Sequence, residues 1–195
     1  MTSATLAVPK RSGLPMLALV VSLLAMPFAI AAGLYFGGWK PAQTIQHGRL
    51  HSPPLPLPES GLSTPDGEAM ATAELHGKWL LILEINGPCA APCEQRIDEM
   101  RRIQVSLNKE MGRLRRVVLS ESATDPGLAA AANRQPDLLR FTAPSGWLSG
   151  SAADAAYRLH VVDPLGRRVM DYPDEVSARE VRSDLDRLLK FAWTG

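Results

Sequence analysis

The chain is 195 residues long, with a formal net charge of +1, 46% hydrophobic residues and two cysteines. That length holds one anchored domain, or one domain with a tail, and a balance this close to neutral excludes nucleic acid or a strongly acidic partner. The sequence also lacks a glycine-rich phosphate loop, a second Cys/His cluster for structural zinc, and any serine, histidine or paired-carboxylate arrangement of a hydrolase.

Residues 1–13 read as a short polar tail carrying Lys10 and Arg11. Leu14 to Phe36 contains no charged residue, and at ~1.5 Å rise per residue its length matches a bilayer core. Pro27 and Gly33 interrupt it, which membrane helices tolerate, and Tyr35 and Trp39 sit where interfacial aromatics belong. Ala29-Ile30-Ala31 offers a cleavage site, but the apolar run exceeds a signal-peptide core, so an uncleaved single-pass helix over 14–37 is expected. The basic pair on its amino side keeps the tail cytoplasmic and puts the rest in a bacterial periplasm, anchored to the inner membrane. That compartment permits disulfides.

Residues 38–69 are rich in Pro, Gly and Ser, centred on Pro53-Pro54-Leu55-Pro56-Leu57-Pro58, and read as a stiff periplasmic spacer. His47 and His51 would suit a metal if they lay on a helix, but a Pro-rich stretch does not form one, so surface histidines are expected. A compact domain over 70–195 follows. His76-Gly77-Lys78 reads as a turn, and Trp79 to Ile85 as a central strand buried on both faces. Ile97, Met100, Ile103, Leu107 and Met111 recur at helical spacing, with Gly112 placed to end that helix. Leu114 to Leu119 is a second strand, reached by a right-handed parallel crossover. Pro126 to Asn133 and Asp137 to Phe141 are candidate short helices. Tyr157 to Val162 and Arg168 to Tyr172 flank Asp163-Pro164-Leu165-Gly166 as a hairpin. Ser177 opens a capping box with Glu180, and Val181, Leu185, Leu188, Leu189 and Ala192 line one face of a closing helix. The order is that of an α/β thioredoxin-like domain, a central sheet flanked by helices, behind a single N-terminal transmembrane helix.

Both cysteines lie in Gly87-Pro88-Cys89-Ala90-Ala91-Pro92-Cys93-Glu94, at the first strand-to-helix turn. Amide N–H groups at a helix start lack intrahelical partners and the macrodipole favours negative charge, so a thiolate is stabilised there. The pair Asp98 and Glu99 complements the same helix start rather than performing acid–base work.

Leu75 to Ile82, the Cys89-x-x-x-Cys93 spacing and Tyr157 to Gly166 resemble the Sco-type proteins of cytochrome c oxidase assembly, over about residues 70–195. The resemblance implies copper delivery to the oxidase, or thiol reduction that prepares its copper site, with a respiratory oxidase subunit or its assembly factors as partner. It also implies a copper set of two cysteines and a histidine. Ala155 stands where that histidine belongs, and Glu94 replaces the proline after the second cysteine. His160, five residues on, is a metal ligand only if the loop register is altered; a core or surface histidine is expected. His76 lies at the opposite end of the strand from the cysteines.

Several chemistries remain for Cys89 and Cys93. A disulfide closing so short a loop is a weak staple. Thiol–disulfide exchange, the leading expectation, needs no cofactor, with Cys89 as attacker and Cys93 as resolving thiol. Two soft thiolates also suit Cu(I) without a third ligand. A non-catalytic scaffold is the remaining alternative, docking through Lys109, Arg113, Arg115 and Arg116 if these are more than a solvated helix end.

Overall fold

The structure is a computed structural model that describes residues 13–39, 46–148 and 156–191. The chain divides into two units, Met1–Ile45 and Gln46–Gly195. The described part of the first is dominated by α1 (Leu14–Phe36), whose 23 residues are all solvent-facing. Among the described residues it is the one helix long and apolar enough to cross a membrane.

In the second unit, β4 (Trp79–Ile85) is buried at all seven positions. The reason is its place at the sheet centre, paired in parallel with β5 (Leu114–Ser120) and antiparallel with β7 (Tyr157–Val162). Alternation then divides its side chains between two cores. Leu81, Leu83 and Ile85 face α2 (Ala91–Ser106), α3 (Pro126–Arg134) and α4 (Ala178–Phe191), meeting Ile97, Met100, Leu128, Val181 and Leu185. Leu80 and Ile82 face the second core with Val117, Leu119 and Val162. That side is closed by Leu57, Leu62, Leu75 and Leu148. Each of these leucines and isoleucines contributes about 1.5–3 kcal/mol when fully buried.

The sheet continues through β6 (Leu139–Thr142), β8 (Arg167–Tyr172), β1 (Arg49–Pro56), β2 (Leu62–Ser63) and β3 (Ala69–Met70), in the order β1-β8-β7-β4-β5-β6-β2-β3. The capping box forms as expected: the Ser177 amide donates to Glu180 Oε2 at 2.9 Å and the Glu180 amide to Ser177 Oγ at 3.3 Å.

Four expectations are corrected. The Pro-rich stretch is not a free spacer over 38–69: β1 pairs antiparallel with β8, so the second unit takes in chain from Gln46. Extended Pro-rich chain suits an edge strand, where missing N–H groups do not break the ladder. Residues 139–142 form a strand parallel to β5 rather than a helix. The helix after the cysteines ends at Ser106, and a 3-10 turn over Asn108–Arg113 leaves Met111 exposed. Asn108 at φ 51° turns the chain out of the helix. Finally, Arg116 is no docking residue, for its side chain is fully buried. Its guanidinium donates to Gln104 Oε1 at 2.7 Å, to Asp137 Oδ2 at 2.7 Å and to Gln135 Oε1. That hydrogen-bonded charge holds the Asp137 carboxyl below the usual range.

Candidate functional site

β4 ends at Ile85, and the chain turns through Asn86, whose N–H donates to the Ala156 carbonyl at 2.9 Å, and Gly87 at φ 91°. A positive φ of that size is open to glycine at no steric cost. Cys89 follows, then Ala90 as N-cap and α2 from Ala91, with Pro92 in the first turn. The helix thus begins after Cys89, so Cys93 alone lies in its first turn. The cysteines form a disulfide with Cα atoms 5.3 Å apart, inside the permitted range. Both cysteines are buried in the folded domain.

Asp125 is the residue of this turn that no spacing in the sequence singled out. One carboxylate oxygen accepts the Cys89 amide at 2.8 Å and the other accepts the Leu128 amide at 2.8 Å, capping α3. A single buried side chain therefore ties the cysteine loop to a neighbouring helix. Gly127 permits the approach, since a Cβ there would collide with the Cys89 carbonyl oxygen. Asp125-Pro126 was readable as a helix start, but the bond to Cys89 crosses 36 residues of sequence. Asp125→Ala removes both acceptors and is expected to cost about 1–2 kcal/mol, read as a lower urea midpoint; Asp125→Asn, which keeps an acceptor, should recover most of it.

One turn after Cys93, Arg96 is buried and donates to the Val176 and Asp174 carbonyls at 2.9 and 2.7 Å. It also pairs with Glu99 at 2.9 Å and lies 5.6 Å from the Tyr157 ring centroid. These contacts fasten the first turns of α2 to the loop before α4. Asp98 accepts from Gln135 Nε2 at 2.6 Å and Glu99 pairs with Arg96, so each carboxylate of the pair is engaged within the fold.

The remaining expected residues lie away from the disulfide. His160 is buried opposite Ile82, on the face of the second core, whereas both cysteines belong to the first. Its Nδ1 is 2.7 Å from Asp171 Oδ1. Ala155 lies outside the described residues. His76 packs against Gly166 at the start of β4. His47 is exposed, as expected of a surface histidine, with Nδ1 3.2 Å from Asp184 Oδ1, whereas His51 is partly buried with Nε2 2.7 Å from Asp171 Oδ2, which corrects its reading as a surface histidine. Among the described residues, no three His, Cys, Asp or Glu side chains converge to hold a metal.

The model of the transmembrane-like, thioredoxin-like, C-terminal domain family matches residues 79–192. No curated protein sequence matches the chain. Apo Sco1 from Thermus thermophilus superposes with a TM-score of 0.57 at 20% identity, over 76% of this chain and 99% of its own. Yeast Sco1 with copper bound gives 0.57 at 16% identity, over 71% and 95%. BsSco, a Sco-family cytochrome c oxidase assembly protein with a disulfide switch, gives 0.54 at 16% identity, over 77% and 100%. At such identities the likeness is one of fold.

Proposed function

This chain belongs to the transmembrane-like, thioredoxin-like, C-terminal domain family, and from that premise we propose that it is a membrane-anchored thiol–disulfide exchange protein working at Cys89 and Cys93. The observation that carries this reading is the disulfide itself, set where the central strand turns into α2. In the reduced state the Cys89 thiolate attacks a partner disulfide, forming a mixed disulfide and releasing one partner thiolate, which takes a proton. Cys93 then loses its proton and attacks Cys89 Sγ, re-forming the 89–93 bond and releasing the second partner thiol. Two electrons and two protons pass to the partner, and a dithiol donor restores the pair. The likeness to BsSco supports a respiratory oxidase subunit or its assembly factors as that partner. The apolar helix α1, with Lys10 and Arg11 on its amino side, supports placement at the bacterial inner membrane with the domain in the periplasm.

A second reading has its own support: the reduced pair offers two soft donors suited to Cu(I) cargo, and the similarly folded yeast Sco1 carries copper. Among the described residues, no third His, Asp or Glu side chain joins the pair.

The test equilibrates the full chain in detergent micelles with dithiothreitol buffers and counts free thiols by alkylation and mass. A single two-electron transition assigned to Cys89–Cys93 is expected. A pair that stays oxidised in every buffer while the domain remains folded overturns the exchange reading. A Cu(I) titration of the reduced chain against a chelator decides the second reading.

A further inference from the structure

The outward side of α2 carries a stripe of residues that the disulfide chemistry does not use. Ile97, Met100 and Ile103 point into the first core. Helical spacing then leaves Glu94, Asp98, Arg101, Arg102 and Val105 together on the opposite side. Two recesses lie along this stripe. The upper, about 690 Å³, starts at Ala91 and Glu94 beside the cysteine turn and takes in Asp98, Arg134, Arg101 and Arg102. The lower, about 420 Å³, is lined by Arg101, Val105, Met111, Leu114, Arg115 and Asp137. Arg101 borders both, so one leads into the other along the helix.

The lower recess combines exposed apolar surface with positive charge that the fold leaves unmatched. Val105 and Met111 are 57% and 49% exposed, and the 3-10 turn after Leu107 is what brings Met111 beside the helix. Arg101 and Arg115 are exposed and form no ion pair among the described residues. Arg102 approaches Glu99 only at 3.8 Å, with its side chain 69% exposed. The nearby carboxylates are already engaged, Asp137 by the buried Arg116 at 2.7 Å and Glu99 by Arg96 at 2.9 Å. Arg113 belongs to the same basic run of sequence but turns away to Glu110 and the Leu189 carbonyl.

Cations around exposed aliphatic side chains are complementary to carboxylates that flank an apolar residue. A face that enters a bilayer turns its apolar side chains outward into lipid. Here they line a recess, which a single protruding side chain can enter. The shape therefore favours a protein segment over a lipid surface.

We propose that this face docks an acidic segment of a partner protein, with an aliphatic or aromatic side chain entering beside Val105 and Met111 and its carboxylates meeting Arg101, Arg102 and Arg115. At ~1.5 Å rise per residue, Arg101 lies about 12 Å along α2 from Cys93. A segment held in the lower recess therefore continues through the upper one to the cysteine turn. Glu94 and Asp98 border that upper recess, so the acidic residues belong at the lower end and not beside a partner cysteine. That the docked segment belongs to the disulfide partner rests on the exchange reading above; the binding itself does not.

The test is fluorescence anisotropy of a short dye-labelled peptide, leucines flanked by aspartates and no cysteine, added to the full chain in nonionic detergent micelles. Micelles alone serve as the blank. Without a cysteine in the probe, the result reports docking whether or not the chain exchanges disulfides. Arg101→Gln, Arg102→Gln and Arg115→Gln together should weaken binding about tenfold, as three exposed charge contacts compound to that size. Val105→Ser with Met111→Ser should weaken it severalfold, as should serine for the peptide leucines or asparagine for its aspartates. Neutralising Arg179, Arg182 and Lys190, exposed on α4, should leave it unchanged. Circular dichroism checks that each variant is folded. Absence of binding to the unmodified chain overturns the proposal, and so does equal binding to the triple α2–β5 variant. An equal loss on neutralising α4, or full binding of the serine peptide, reveals a general attraction between opposite charges and overturns it too. Displacement of the peptide by a small proportion of phosphatidylglycerol in the micelles assigns the face to a lipid surface instead.

Discussion

Cys93→Ala is expected to leave the full chain able to begin the proposed exchange but unable to finish it. Cys89 precedes the helix beside the exposed Gly87 and Pro88, whereas Cys93 is enclosed in the first turn of α2 above Ile97. On the proposed exchange Cys89 is therefore expected to be the sulfur a partner meets, and without Cys93 the mixed disulfide would have no intramolecular exit. A covalent adduct with a disulfide-containing peptide should accumulate close to one per chain, visible by mass, while multiple turnover falls to the background of the reductant alone. Cys89→Ala should give no adduct and the same background turnover. Adduct formation in Cys89→Ala but not in Cys93→Ala would reverse the two roles.

Arg116→Met is expected to be the most damaging single change outside the cysteines. The fully buried guanidinium joins α2 through Gln104, the end of α3 through Gln135, and the start of β6 through Asp137. Methionine fills part of the space but leaves the amide of buried Gln135 without that partner, at ~1–3 kcal/mol, and that of the partly buried Gln104 at the lower end of the same range. Asp137 is half-exposed, so water takes over its charge and adds little to the cost. The total is about 3 kcal/mol, which for a unit of this size lowers Tm by roughly 6–12 °C. Arg116→Lys should recover only part, because an ammonium cannot reach three acceptors in one plane. A variant within about 1 kcal/mol of the parent by urea unfolding would contradict the network's role.

The same arginine shows why a charge pattern misled. Arg113, Arg115 and Arg116 are one basic run in sequence, yet strand alternation sends Arg115 to solvent and Arg116 inward. Arg113 turns to Glu110 at 2.8 Å and to the Leu189 carbonyl at 2.9 Å. Residues 139–142 were misread because four residues carry too little periodicity to separate helix from strand; pairing with β5 decided the matter.

What the amino-acid sequence determined alone was local or periodic. The uncharged run over Leu14–Phe36 dictates an apolar helix. The unbroken run over Trp79–Ile85 dictates a strand buried on both faces. Ser177 and Glu180 dictate the start of α4, and the Cys89–Cys93 spacing dictates two sulfurs at one turn. Each depends on neighbours within a turn or a pleat, where covalent geometry leaves few alternatives. Only tertiary structure decided that the Pro-rich stretch joins the sheet, that Asp125 holds the cysteine loop, and that His160 meets two carboxylates far from the cysteines. Those contacts join residues brought together only when strands pair and helices pack, so no spacing along the chain records them.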